Sequence, residues 1–553
     1  MQSRAGASVK AAFLFAAALL IVAAMMAPSA APGPFFEDRT AHSGIGFVLR
    51  NAASSERHQI ETMAGGVAVF DYDNDGYPDI YFANGAEQPS LEKTGPQYRN
   101  RLYRNTHDWT FEDVTDKAGV GGSGYNIGVA AGDYDNDGHA DLFVTGVKGN
   151  TLFHNRGDGT FEDVTRAAGL ESHDWAVSAA WVDYDNDGWL DLFVVNYVKW
   201  DPAAERFCGD AARGIRTYCH PRFYEPLPNR LYHNNGDGTF SDVSSVSGIA
   251  AYRGKGMGVA IADYDHDGWM DVFVANDTVP NLLFHNEHNG HFRETALQAG
   301  VGLNDDGKAL SSMGVDFRDL DNDGWEDLFV SALSSETFPV YRNLGRGLFS
   351  DLTYTSHVGP ITMPLSGWSV GIFDFDNDGW KDMFVAAGDV QDNTELLSSR
   401  KSRQQNLLLL NDGHGVFRGA AAGPAALNRG VAFGDFDRDG RVDAIITRLN
   451  EPPVVLRNLM GAGNHWIALN LIGVRSNRDG IGARVTIRSG GVTQVNHVTT
   501  STGYACSSEP AAHFGLGRST RAESIEIEWP SGLRQALTNV PADAYLIVRE
   551  QQP

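Results

Sequence analysis

The sequence predicts an all-β protein: a seven-bladed β-propeller closed by its N-terminal strand, followed by a small C-terminal β-rich domain. One acidic nonapeptide recurs seven times in the 553 residues. Its starts lie 62, 50, 80, 56, 55 and 61 residues apart, a period that suits one four-stranded blade per copy. Each copy stands between two short strand-like runs, which is the pattern of a hairpin.

The copies read DYDNDGYPD from Asp71, DYDNDGHAD from Asp133, DYDNDGWLD from Asp183, DYDHDGWMD from Asp263, DLDNDGWED from Asp319, DFDNDGWKD from Asp374 and DFDRDGRVD from Asp435. Small and β-branched residues precede them, as in Gly258–Ala262, and apolar runs such as Leu192–Asn196 follow. Further along each unit come an Asn-Arg-Leu-Tyr type strand, a Gly/Asp turn and a Phe-x-Asp strand, as at Asn229–Tyr232 and Phe240–Asp242. Six loops are followed by such a phenylalanine, at Phe111, Phe161, Phe240, Phe292, Phe349 and Phe417. The seventh unit stops at Asn458 without one. The missing piece, Phe36-Glu-Asp-Arg-Thr40, stands at the other end of the chain. The N-terminal segment is therefore predicted to supply the last strand of the seventh blade, leaving no open sheet edge. The propeller then spans about residues 35–458.

Carboxylates at positions 1, 3, 5 and 9 of so short a loop repel one another unless a cation sits among them. Six to eight oxygens in a tolerant geometry suit Ca²⁺. Glycine at position 6 permits the sharp reversal, and the carbonyl of position 7 can complete the shell. The candidate ligands are therefore Asp71, Asp73, Asp75 and Asp79 with the Tyr77 carbonyl, and Asp133, Asp135, Asp137 and Asp141 with that of His139. Next come Asp183, Asp185, Asp187 and Asp191 with Trp189, and Asp263, Asp265, Asp267 and Asp271 with Trp269. The last three sets are Asp319, Asp321, Asp323 and Asp327 with Trp325; Asp374, Asp376, Asp378 and Asp382 with Trp380; and Asp435, Asp437, Asp439 and Asp443 with Arg441. Up to seven Ca²⁺ are expected. Magnesium is second choice, and zinc is disfavoured because no His or Cys recurs in the loops. An EF-hand needs a bidentate glutamate at position 12, where this chain has Phe82, Val144, Val194, Val274, Val330, Val385 and Ile446.

With these loops and Phe-x-Asp strands, residues 35–458 resemble the FG-GAP/VCBS repeats of integrin-α-type propellers. The resemblance implies Ca²⁺ held within each blade as a stiffening ion, with partners bound elsewhere. Beyond Gly463, His465–Ile472 and Ile525–Trp529 read as strands. Asn477–Ala483, His513–Gly517 and Trp529–Gly532 make residues 461–553 resemble the ASPIC/UnbV domain, which accompanies FG-GAP repeats in the cartilage acidic protein type of chain. Asp479, Glu509 and His513 are read as turn and packing residues rather than ligands.

The longest spacing holds a loop-rich insertion at about residues 197–228, with aromatics, His220 and the candidate disulfide pair Cys208 and Cys219. A bridge closing so short a loop contributes about 3 kcal/mol by loop entropy. Long inserted loops on a rigid scaffold tend to carry function, so a partner-binding surface is expected here. Cys506 reads as an ordinary free thiol.

Residues 1–31 read as a secretory signal, with Arg4 and Lys10, the apolar run Ala11–Met26, and cleavage near Ala27–Ala31. A retained anchor is the alternative. The mature chain is expected in the periplasm or outside the cell, and not to span a membrane. A net charge of −26 argues against nucleic acid as a partner.

Several motifs are decoys. Gly367–Gly371 matches G-x-S-x-G but runs into Asp374 as a strand, not a strand-to-helix elbow. Arg156-Gly-Asp158 occupies the same turn as Asn235-Gly-Asp237, and Asn276-Asp-Thr278 is a lone glycosylation sequon. His154, His233 and His285 read as blade packing. The expected function is a binding or adhesion scaffold for a protein or glycan partner. The alternative is a propeller enzyme, a glycan hydrolase or lyase, or an accessory protein of secondary metabolism. A cluster of His, Arg, Glu or Tyr converging on one propeller face would favour the enzyme.

Overall fold

The structure is a computed structural model that describes residues 35–552; the expected signal segment lies outside them. Each acidic nonapeptide joins the first two strands of an antiparallel four-stranded unit, the first of which is extended to six strands by a hairpin from the C-terminal region. The third sheet, for example, runs Ala176–Val182, Asp191–Asn196, Arg230–Asn234 and Phe240–Asp242. Seven such units occur among the described residues, and their first strands contact one another in series until the seventh meets the first. This is a propeller.

The packing explains the apolar runs after each loop. Asp191–Asn196 is buried at every residue because neighbouring sheets cover both of its faces. Leu192 and Val194 pack with Phe143 of the second sheet, while Phe193 and Val195 pack with Val259 and Val272 of the fourth. Period-two alternation therefore divides one strand between two interfaces rather than between core and solvent.

The asparagine ending each third strand locks neighbouring sheets together. The Nδ2 of Asn155 donates to the carbonyl of Tyr72 in the preceding sheet's loop (2.9 Å), and Asn234, Asn286, Asn343, Asn411 and Asn458 repeat the bond. Asn105 of the first sheet reaches Phe436 of the seventh (3.0 Å), across the closure. The seventh sheet is completed from the N-terminal side, where Phe36–Asp38 pairs antiparallel with Glu451–Asn458, Phe36 opposite Asn458.

Residues 465–549 form two further sheets. His465–Ile472 lies between Ala512–Gly517 and a parallel Ala544–Arg549, and Arg484–Ser489 lies between Val492–His497 and Arg521–Glu528, with Arg534–Pro541 outermost. Their core, with Leu469, Ile487, Phe514 and Trp529, merges with the propeller cluster around Trp181.

A hairpin from this region, with strands Ser501–Thr502 and Cys506–Ser507, enters the propeller axis and touches the first strand of all seven sheets. Ser507 bridges Ala68, Val129 N–H donates to Ala505 O (3.2 Å), and Ala505 N–H donates to Ser178 Oγ (3.0 Å). Ser501 Oγ donates to Val259 O (2.7 Å), Gly503 N–H to Val315 O (2.9 Å), Tyr504 N–H to Ser369 Oγ (3.0 Å) and Glu509 N–H to Phe433 O (3.0 Å). First strands leave one row of backbone groups unpaired toward the axis, and the hairpin satisfies several of them. The approach is close: a Cβ on Gly258 would lie 2.7 Å from Gly503 O, and one on Gly430 would lie 2.6 Å from Cys506 Sγ. Cys506 is thus a buried plug residue.

Candidate metal centres

The seven acidic loops share one hydrogen-bond frame, with one departure in the fifth, where Asp323 N–H donates to Asp321 (3.2 Å) instead of Asp319. In the first, Asp71 accepts the N–H groups of Asp75 (3.1 Å) and Gly76 (2.8 Å), and Asp75 accepts that of Tyr77 (3.0 Å). Asp79 accepts those of Tyr72 (2.9 Å) and Asn105 (2.7 Å), tying the loop to the third strand. Position 4 sits in the left-handed region, at φ 58° in Asn74, where asparagine is tolerated, and Gly76 follows at φ 91°. From position 4 the loops chain to one another: Asn74 Nδ2 donates to Gly138 O of the second loop (2.9 Å), and Arg438 Nε of the seventh donates to Gly76 O of the first (2.7 Å).

The structure brings the predicted carboxylates together. One oxygen from each of Asp71, Asp73 and Asp75, and from each of Asp133, Asp135 and Asp137, lies within 4.8 Å of the others. Asp73, Asp185, Asp265, Asp319 and Asp437 each keep a buried Oδ1 with no hydrogen-bond partner. Orphaned anionic oxygens in a crowded pocket fit a hard divalent cation, so these clusters can hold a metal ion.

Burial is the first cause of the upward pKa shifts at the buried loop aspartates: Asp71 is pushed up to about 6, and Asp183, with Asp191, Asp187 and Asp185 adding to the effect, to about 8. Burial likewise takes Asp271 to about 8. In metal-free protein these groups favour the protonated form relative to an unfolded aspartate near 3.9. Their stabilisation is complete below about pH 4 and is lost as pH rises through about 6 to 8. Metal-free protein is therefore expected to melt higher at pH 5 than at pH 8, and excess divalent cation to abolish the difference. A metal-free melting temperature that climbs over this range would contradict the arrangement.

The three histidines do more than pack. His154 Nδ1 lies 3.2 Å from Asp135 and 3.3 Å from Asp141, and His233 lies 3.3 Å from Asp185 and 3.2 Å from Asp191. His285 lies 3.5 Å from Asp265 and 3.2 Å from Asp271. The imidazoles reach the loops from the third strand, which a search within the nonapeptides alone misses. Their recurrence just before the strand-end asparagine was the available signal.

Asp479, Glu509 and His513 pack the C-terminal region onto these loops. Asp479 accepts the N–H of Asp133 (2.8 Å), Glu509 that of Asp435 (3.1 Å), and His513 Nε2 lies 3.0 Å from Gly440 O.

At the opposite end of the axis lies a cavity of about 580 Å³. Its lining includes Met63 and Trp368, which contact the plug residue Tyr504: the Tyr504 hydroxyl donates to Met63 O (2.6 Å), and its ring lies 5.2 Å from that of Trp368. The insertion contributes Tyr218, His220 and the bridged pair Cys208 and Cys219, with an S–S distance of 2.00 Å. Asp277 Oδ1, Asp389 Oδ2 and Gln59 Oε1, all from lining residues, are buried without partners. The sequon residue Asn276 is fully buried, its amide donating to Pro280 O.

The FG-GAP-like repeat family matches residues 71–144, 133–194, 224–274, 263–330 and 319–385, and the ASPIC and UnbV family matches residues 473–553. Cartilage acidic protein 1 of Mus musculus is 30% identical over 307 residues, covering 53% of this chain and 44% of that protein. The Homo sapiens protein of that name is 29% identical over 306 residues, covering 53% and 43%. The matched segment thus spans less than half the length of these relatives. Among solved structures, the BP39L lectin from Burkholderia pseudomallei superposes with a TM-score of 0.46 at 11% identity, over 73% of this chain and 97% of that one. With the repeats matched over half its length and the C-terminal region matched as well, the chain belongs to the FG-GAP-like repeat proteins that carry an ASPIC and UnbV domain.

Proposed function

We propose that this protein is a secreted, calcium-loaded binding scaffold, in which residues 35–458 form the ligand-bearing propeller and residues 461–553 a docked domain that plugs it. In this reading the 28 loop aspartates and the position-7 carbonyls hold Ca²⁺ as a structural ion. A protein or glycan partner engages the cavity roofed by the insertion at residues 197–228. Among the described residues no helix is long and apolar enough to cross a membrane.

The observation that carries the reading is the cavity itself. It has the volume of a small-ligand site and an apolar wall including Met63 and Trp368, interrupted by polar residues such as Gln59, Asp277 and Asp389. This mixed lining of polar and apolar side chains suits the hydroxyls and apolar faces of a glycan. The test is to probe the mature, calcium-loaded chain on glycan and matrix-protein arrays and compare it with Asp389→Ala. Binding that falls at least about tenfold in the variant supports the site. Unchanged binding, or no binder on either array, removes it.

Tyr218, His220, Arg222 and Arg400 line the same cavity, which favours a glycan-acting enzyme as the second reading. His220 Nδ1 accepts the backbone N–H of Arg222 (3.1 Å). Cleavage of a bound glycan, read from its products, distinguishes enzyme from scaffold.

A further inference from the structure

We infer that the seven loops are unequal Ca²⁺ sites, graded by the side chain that precedes the strand-end asparagine of each sheet, and that the sixth loop is the tightest. The inference rests on the calcium reading above.

The position is set by register. Each of these asparagines donates its backbone N–H to the ninth residue of its own loop, so the residue before it occupies equivalent places in all seven sheets. That residue is Arg104, His154, His233, His285, Arg342, Leu410 or Arg457.

In three loops it is a fixed cation. Arg104 Nε lies 2.7 Å from Asp73, and its Nη2 lies 3.3 Å from Asp75. Arg342 repeats this with Asp321 (2.7 Å) and Asp323 (2.9 Å), and Arg457 with Asp437 (2.8 Å) and Asp439 (3.1 Å). Arg441 also pairs with Asp439. The second, third and fourth loops carry imidazoles instead. The sixth has Leu410, whose apolar side chain sets no strand cation against Asp374, Asp376, Asp378 or Asp382. Lys381, within that loop, donates from its ammonium to the carbonyls of Asp319 (3.0 Å) and Val495 (2.9 Å), and its charge also acts on Asp374. Arg418, the cross-strand neighbour of Leu410, is exposed.

A cation against a ligand carboxylate has two opposite effects. It orients the oxygen, which strengthens a metal site, and it repels the ion, which weakens it. The sixth loop shows which effect matters here. Its frame is complete without a strand cation: Asp374 accepts Asp378 N–H (3.1 Å) and Gly379 N–H (2.8 Å), and Asp378 accepts Trp380 N–H (2.9 Å). Asp382 accepts Phe375 N–H (3.2 Å) and Asn411 N–H (2.8 Å). These are the bonds of the first loop. Orientation comes from the backbone, so the strand residue changes mainly the charge. Four carboxylates with no strand cation against them attract a divalent ion most strongly, and guanidinium-bearing loops attract it least.

The experiment titrates chelator-stripped mature chain with Ca²⁺ alone, by calorimetry and by equilibrium dialysis against radioactive calcium. Wild type is expected to bind one ion at least about tenfold more tightly than the remainder. Leu410→Arg should lose that ion, Leu410→Met should keep it, and Arg104→Met should convert a weak site into a tighter one. The gain in Arg104→Met decides the matter even where Leu410→Arg fails to fold. Uniform affinity, a tight ion retained in folded Leu410→Arg, or weakened binding in Arg104→Met each overturns the grading. No Ca²⁺ uptake by wild type overturns the calcium reading itself, whereas uptake at one shared affinity overturns only the ranking.

Discussion

Chelation with EDTA is expected to lower the melting temperature by about 10 °C, and added Ca²⁺ to restore it. The magnitude follows from linkage. A site with a dissociation constant of about 0.1 mM stabilises by about 1.4 kcal/mol at about 1 mM Ca²⁺, so seven sites supply on the order of 10 kcal/mol. Unfolding entropy of about 2.1 cal/mol/K per residue converts that to about 1 °C per kcal/mol for a chain of this length. The loss should also spread beyond the loops. Asp479 and Glu509 hold the backbone of Asp133 and Asp435, the first residues of two cages, so a loop that rearranges loses its contact with the C-terminal region. Faster proteolysis of that region after chelation is the accompanying result. A thermal transition indifferent to EDTA would mean that the loops carry no structural ion.

Deleting residues 35–45 from the mature chain is expected to abolish the cooperative monomer and produce aggregates on size-exclusion chromatography. Phe36–Asp38 is the outer strand of the seventh sheet, and its loss bares the edge of Glu451–Asn458. The segment also carries Phe36, whose ring meets those of Phe375 (6.0 Å) and Phe384 (5.9 Å), and Arg39, whose N–H donates to Val455 O (2.9 Å). Ile45 goes with it from the buried core. A soluble deletion variant with an unchanged melting temperature would show that closure does not depend on this strand.

The carboxylate cages were legible because nine contiguous residues specify them. Position 4 needs a left-handed residue, position 6 needs glycine, and the acidic positions need a cation, all readable without any partner strand. The strand residue that stands beside each acidic loop was not legible in the same way. Arg104 lies 29 residues beyond Asp75, and only strand register sets its guanidinium against that carboxylate. The histidines show the same limit. In the sequence they are three similar strand positions, and in the structure they face aspartates.

The sequence by itself determined the repeat, the strands, the acidic turns and the strand that completes the last sheet, because period-two burial and turn chemistry act over a few residues. Only the tertiary structure decided that residues 499–509 plug the axis and that Asp479 and Glu509 seat the C-terminal region on the loops. The hairpin has no apolar periodicity to announce it. Its partners are backbone groups of seven first strands scattered from Ala68 to Phe433, and they converge only once the ring has assembled.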